Sequence, residues 1–178
     1  MSKIAKRIIS IPQNVKINLG EGVVSAEGPL GKSEDLKLPI ELEVTKGEEG
    51  LITKSENSAL AGTYNALISN MIKGVVSGHE KVIEVKGVGY KVLLKDKLLE
   101  FSLGKAHVNN VNIPSELEVK VEGGKIIIKG KDKQKVASFA ANDIRPLRKP
   151  SIYKKSKGIY YLGEEETIKL KAGKSLNK

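Results

Sequence analysis

Residues Leu38–Val44 read LPIELEV, and residues Ile113–Val119, 75 positions further on, read IPSELEV. Each match leads into a glycine-bearing turn, KGEEG at Lys46–Gly50 and VEGGK at Val121–Lys125, and then into a short apolar strand. Helix-like runs follow, SALAGTYNALISNMIKG from Ser58 and KQKVASFAANDIRPLRK from Lys133. Ahead of each match stands a Leu-Gly-Lys, at Leu30–Lys32 and at Leu103–Lys105. A repeat this long is one domain used twice rather than the unit of a solenoid.

Local periodicity agrees with that division. Val15, Ile17 and Leu19 alternate with polar residues, as do Leu36, Leu38 and Ile40, and then Leu117, Val119 and Val121; a period of two marks half-buried strands. Gly123-Gly124 between Val121 and Ile126 predicts a tight hairpin. Leu60, Tyr64, Leu67, Ile68, Met71 and Val75 recur at helical spacing, with Asn57 or Ser58 as the N-cap. Asp132 is the candidate cap of the second helix, whose inner face is expected at Val136, Phe139, Ala140 and Ile144. Pro146 disfavours helical geometry at Arg145, so that helix is expected to stop there. The fold class expected is α+β, two tandem domains of the same fold, each a small antiparallel sheet arrangement packed with one α-helix. The join is expected near Gly78–Val82, giving domains 1–81 and 82–178, with a flexible basic tail from about residue 163.

Charge is distributed unevenly between the halves. Of 31 Lys plus Arg and 21 Asp plus Glu, residues 1–81 hold ten and ten, so residues 82–178 hold 21 and 11 and the whole net charge of +10. An excess confined to one half points to an acidic partner docking there. Its densest stretch is Arg145–Tyr161, RPLRKPSIYKKSKGIYY, with Arg145, Arg148, Lys149, Lys154, Lys155 and Lys157, no anion, three tyrosines and two prolines. Self-repulsion gives folding no reason to favour such a segment, whereas a polyanion does, because each cation set on a phosphate releases condensed counterions. Pro146 and Pro150 stiffen the segment. Tyr153, Tyr160 and Tyr161 are candidates to stack on bases or riboses, with at least one of Tyr160 and Tyr161 expected in the core. Lys105, Lys169, Lys171 and Lys174 extend the cationic set, and Lys3, Lys6 and Arg7 form a possible basic N-terminal arm. Lysines outnumber arginines 28 to three, which suits phosphate contact with a folded RNA better than bidentate reading of a DNA major groove.

Other chemistries find little support in the residues. There is no cysteine, which removes disulfides and thiolate chemistry and fits a reducing, cytoplasmic home. No apolar run approaches a membrane span, and the N-terminus lacks a secretory apolar core. His79 and His107 have no plausible metal-binding neighbour in sequence. Glu164-Glu165-Glu166 reads as a solvated charge run. Gly87-Val88-Gly89 opens like a dinucleotide loop, but residue 92 is Val92 and YKVLL reads as strand, so no helix N-terminus is expected to hold a pyrophosphate. No cofactor, metal, membrane, DNA or small-molecule substrate is expected, and no catalytic residue is named.

Nearly end to end, the chain resembles the bacterial-type family of large-subunit ribosomal protein six. The resemblance rests on KRIISIPQNVKI at Lys6–Ile17, GPLGK at Gly28–Lys32, GTYNALISNMIKGV at Gly62–Val75, KGVGYKV at Lys86–Val92, LGKAH at Leu103–His107 and IRPLRKP at Ile144–Pro150. The tail adds Tyr153-Lys154, Lys157-Gly158-Ile159 and KAGKS from Lys171. It implies two domains of one α+β fold arising by duplication and a structural place in the large subunit among neighbouring ribosomal proteins. It further implies binding to large-subunit ribosomal RNA mainly through the second domain, near where translation factors dock, with the signature segment at Pro150–Ile159. The chain departs from the family spacing by one extra residue in Tyr153–Gly158. The competing reading is a soluble RNA-binding chaperone or regulator acting off the ribosome.

Overall fold

The computed structural model describes residues 7–47, 50–153, 157–169 and 171. They gather into two compact units, one built from residues up to His79 with Lys131–Lys133, the other from Glu80–Gly130 and from Gln134 onward. The architecture is α+β, with each unit made of small antiparallel sheets and helix.

In the first unit β1 (Lys16–Gly20) and β2 (Val23–Gly28) pair antiparallel from Lys16↔Glu27 to Gly20↔Val23. The two-residue strands β3 (Gly31–Lys32) and β4 (Leu36–Lys37) both pair with β2. β5 (Leu42–Lys46) and β6 (Leu51–Ser55) form a separate hairpin, and Ile9 bridges Leu51 through backbone bonds of 3.0 and 2.9 Å. Helix α1 (Ser58–Val76) follows, its start capped by Asn57, whose side chain accepts from the Ala59 N–H at 3.0 Å. Ile9, Val15, Ala26, Leu51, Ile68, Ile72 and Val75 form the buried core.

Two expectations shift here. Leu38–Ile40 does not continue a strand: the Leu42 N–H donates to the Pro39 carbonyl at 3.0 Å, and the turn leaves Ile40 fully exposed. The proline, which brings no N–H to a sheet ladder, breaks the alternation. The inner face of α1 centres on Ala61, Asn65, Ile68, Ile72 and Val75, with Leu60, Tyr64, Leu67 and Met71 half-buried at its flanks. Asn65 is tolerated there because its Nδ2 donates to the Arg7 carbonyl at 2.7 Å and to Thr53 Oγ1 at 3.3 Å. A buried amide with two partners costs little; without them it would cost a few kcal/mol, on the order of 1–3.

The second unit takes all but the first residue of β7 (His79–Lys86), then β8 (Lys91–Lys95), β9 (Leu98–Ser102), β10 (Asn109–Asn112), β11 (Leu117–Glu122) and β12 (Lys125–Gly130), and all but the first residue of α2 (Lys133–Ser138). After α2 come a π-helical turn (Phe139–Ile144), a 3-10 turn (Arg145–Arg148), β13 (Gly158–Tyr161) and the one-turn α3 (Glu164–Thr167). The sheets run β10-β9-β8 and β11-β12-β7-β13. Gly123 and Gly124 close the β11–β12 hairpin with φ of 53° and 86°, the positive values that a tight two-residue turn demands. Val136, Phe139, Ala140 and Ile144 are buried, in a core with Ile83, Leu99, Phe101, Ile126, Ile128 and Ile159.

The repeat runs deeper than the quoted match. β1 and β8 start at Lys16 and Lys91, β2 and β9 at Val23 and Leu98, β5 and β11 at Leu42 and Leu117, α1 and α2 at Ser58 and Lys133, each pair 75 apart. Strand pairing repeats residue for residue, Val24↔Leu36 becoming Leu99↔Val111. The Pro39 turn returns at Pro114, whose carbonyl accepts from Leu117 N–H, again at 3.0 Å. The second unit carries the further strand β13, along β7 from Gly158↔Lys86 to Tyr161↔Ile83.

The second helix does not stop at Arg145. Arg145 keeps helical angles (φ −60°, ψ −36°), its N–H reaches the Ala140 carbonyl, and the chain continues for one 3-10 turn through Arg148. The run has already widened to π spacing at Phe139, so Pro146 falls in the first turn of a new segment, where its missing N–H forfeits no bond.

Candidate nucleic-acid interface

The sequence of Arg145–Tyr161 folds as a strap between two fixed ends. At one end the π-helical turn buries Ile144; at the other β13 buries Gly158, Ile159 and Tyr160. The Ser151 N–H donates to the Lys157 carbonyl at 2.9 Å, closing the base of a loop. The buried Tyr160 hydroxyl locks that base, accepting from the Lys157 N–H at 3.1 Å and donating to its carbonyl at 3.2 Å. Tyr160 is thus the expected core tyrosine, while Tyr153 at the loop is 66% exposed.

Beside the strap lies an open cleft of about 480 Å³ lined by Lys105, Pro146, Leu147, Arg148, Lys149, Ser151, Tyr153 and Lys157. Lys105 arrives from the β9–β10 loop, and its Nζ donates to the Leu147 carbonyl at 3.0 Å, tying the two walls together. Among the described residues no carboxylate forms an ion pair with Lys105, Arg148, Lys149 or Lys157. Four cations therefore line one concavity with no carboxylate of the described residues paired to them.

Arg145 stands apart from them. Its guanidinium forms a forked pair with Glu164, with Nη1 2.8 Å from Oε2 and Nη2 against Oε1, and its plane lies 4.6 Å from the centre of the Tyr161 ring. Lys81 also stacks on that ring, at 4.5 Å. The Tyr161 N–H donates to Glu164 Oε2 at 2.9 Å. Burial pushes the Glu164 carboxyl up, but the bonds from Arg145 and from the Tyr161 N–H outweigh it, and the group lies below its ordinary range. The Glu164 bond in turn raises Arg145. Next to this pair, Lys86 Nζ sits 2.6 Å from Glu165 and 3.0 Å from the buried Glu84, which also meets Lys125 at 3.3 Å. The bonds to Glu165 and then to Glu84 push Lys86 up to about 12, and the Lys86 bond holds Glu84 down.

Glu164-Glu165-Glu166 is therefore not a solvated run: Glu164 and Glu165 are the counter-charges that latch α3 to the strap and to β7. Residues 163–167, at the start of the expected tail, form a turn and the one-turn α3 held by these pairs. The segment's first cation is likewise neutralised, by a carboxylate 19 residues downstream that shares no local motif with it. A folded-state pKa below the unfolded one stabilises above the ordinary carboxylate pKa and is lost as pH falls through the depressed value. Glu164→Gln should lower stability at pH 7 by about 1–2 kcal/mol and flatten the loss of stability below about pH 4. Thermal melting of both proteins across pH 3–7 measures this, and parallel curves would remove Glu164 from the latch.

The remaining expected residues distribute as follows. Lys169 and Lys171 are exposed, and the Lys171 N–H donates to the Ile152 carbonyl at 2.9 Å, bringing it to the start of the loop. Arg7 is exposed in the first unit. Lys3, Lys6, Lys154, Lys155 and Lys174 lie outside the described residues. Gly87-Val88-Gly89 is a turn, with Tyr90 N–H donating to Gly87 O at 3.1 Å, and strand β8 follows it, so the dinucleotide pattern lacks its helix. His79 Nε2 sits 2.8 Å from the Asn70 carbonyl, and His107 is exposed. Among the described residues, no three His, Asp or Glu gather as metal ligands and no helix is long and apolar enough to cross a membrane.

Comparison with known proteins gives a consistent family. Residues 86–161 match the family model described as ribosomal protein L6. The chain is 43% identical over 184 aligned residues to the large ribosomal subunit protein uL6 of Persephonella marina, with all of both chains covered. To the uL6 proteins of Mycoplasmoides gallisepticum and Aquifex pyrophilus it is 41% identical, covering 98% and 93% of this chain and 97% and 91% of theirs.

Proposed function

The chain belongs to the ribosomal protein L6 family, and from that membership we propose that its second unit holds it to large-subunit ribosomal RNA. Members of this family are structural, non-enzymatic constituents of the large ribosomal subunit. The observation that carries the RNA reading is the cleft at Lys105, Arg148, Lys149 and Lys157, four cations on one concave surface that form no ion pair among the described residues. Phosphate oxygens supply their counter-charge. Arg145 serves differently, holding the strap in place through Glu164 and Tyr161 rather than meeting phosphate.

Residues 82–178 form the RNA-binding domain in this reading. Residues 1–81, with ten cations and ten anions, face solvent, neighbouring ribosomal proteins or arriving translation factors. The protein works in the cytoplasm as part of the ribosome. Lys154, Lys155 and the tail lysines Lys169, Lys171 and Lys174 add to the same electrostatic contact, and Lys3, Lys6 and Arg7 reach nearby phosphate from the N-terminal arm.

Two measurements test this. In cell extract the protein should sediment almost wholly with the large subunit; a free pool would favour the off-ribosome regulator. The purified chain should bind large-subunit ribosomal RNA with log affinity falling linearly against log salt, at a slope of roughly 0.7–0.9 per phosphate contact. An affinity indifferent to salt would refute the electrostatic contact.

A further inference from the structure

We infer that the cleft beside the strap receives a single unstacked, unpaired RNA nucleotide, with its base on Tyr153 and its phosphate among Lys105, Lys149 and Lys157. This rests on the RNA reading above and goes further, because a surface that only tracked duplex phosphates would have no use for an open aromatic ring among its cations. An A-form helix offers phosphates, 2′-hydroxyls and a wide, shallow minor groove while its bases stay in the stack. This surface is a concavity of about 480 Å³, within the roughly 300–1,000 Å³ that small-ligand sites occupy.

Its lining has the two chemistries that a nucleotide carries. Charge comes from the lysines, and apolar surface from Pro146, Leu147 and the Tyr153 ring. Tyr153 is 66% exposed in a protein with seven aromatic residues, whereas Tyr160 is buried and Tyr161 is covered by Lys81 and Arg145. Of the three tyrosines in the strap, Tyr153 alone offers an open face. Stacking on an aromatic ring is tolerant of base identity and demands a base freed from its helix. The cleft is also fixed in advance of binding: the Lys105 bond to Leu147 O holds its walls, and the Ser151–Lys157 closure with the Tyr160 hydroxyl holds the loop base. Preformed walls keep the ordering cost of binding low.

The test is acylation mapping of 2′-hydroxyl groups on large-subunit ribosomal RNA with the full chain, its Tyr153→Ala variant and its Tyr153→Phe variant. The wild type and Tyr153→Phe should protect at least one unpaired nucleotide inside the footprint, and Tyr153→Ala should leave it reactive and weaken binding about tenfold. A footprint confined to helical nucleotides and identical for all three proteins overturns the nucleotide site while leaving the RNA reading intact. No footprint from any of them overturns both. Because Tyr153 is exposed, its substitution leaves the core unchanged, and a melting curve matching wild type verifies that.

Discussion

Replacing Lys105, Arg148, Lys149 and Lys157 together by alanine should reduce affinity for large-subunit ribosomal RNA about a thousandfold near 0.15 M salt, since each lost phosphate contact removes roughly 0.7 log unit of counterion release there. The same variant should lose about three to four units of salt slope. The fold has no comparable stake in these side chains: none has an ion pair among the described residues, and Lys105 gives up one bond to Leu147 O. The double change Lys91→Ala and Lys97→Ala takes two exposed cations from the β8–β9 hairpin of the same unit and should weaken binding far less. Nitrocellulose filter binding at several salt concentrations reads both. If the quadruple variant binds as the wild type does, or no worse than this control, the cleft is not the contact surface.

How much of this was written in the sequence depends on the range of the interaction. Elements set by neighbours in the chain are legible. The Gly123-Gly124 hairpin needs positive φ at two adjacent residues, and only glycine offers that freely. Asn57 caps α1 through the N–H two residues on, and the 75-residue repeat carries strand pairing, turn and helix start with it. What sequence misjudges is set at a distance. The face of α1 is displaced because Asn65 finds the Arg7 carbonyl 58 residues away, a partner no periodicity signals. Ile40 alternates as a strand residue would, yet the Pro39 turn turns it to solvent.

The site divides along the same line. Charge density in one short stretch marks Arg148, Lys149, Tyr153 and Lys157 as candidates, and Lys105 joins them only as a further cation of the same half. The roles within that set were not legible. Arg145 looks like any other cation until Glu164 is folded back onto it, and Glu164–Glu166 looks like solvated charge until Arg145 and Lys86 face it. Local charge counting identifies an excess, but only the fold decides which charges are already answered. A forked arginine–carboxylate pair stacked on a ring is structural; a lysine facing an open cleft is available.

Gly158→Ala should destabilise the second unit by about 3 kcal/mol, from backbone strain and contact with fixed atoms, and should also weaken RNA binding. Gly158 has φ of 139°, in a region that side chains disfavour, and a β-carbon there would lie 2.7 Å from Pro150 Cα and 2.8 Å from the Lys149 carbonyl oxygen. Both are backbone atoms, so no flexible side chain can swing aside. Relief requires moving either β13, paired to Lys86 and Val85, or the Lys149–Pro150 end of the strap. Either movement pulls the Ser151–Lys157 closure apart and spreads the cationic cleft. Gly163→Ala is the matched comparison: its φ is 78° but nothing lies within 4 Å of the added carbon, so it should cost only about 1 kcal/mol. Melting should fall by roughly 10 °C for Gly158→Ala and a few degrees for Gly163→Ala. If Gly158→Ala melts with the wild type and binds RNA as tightly, the strap is not held by that close passage, and the rigidity assigned to the cleft fails with it.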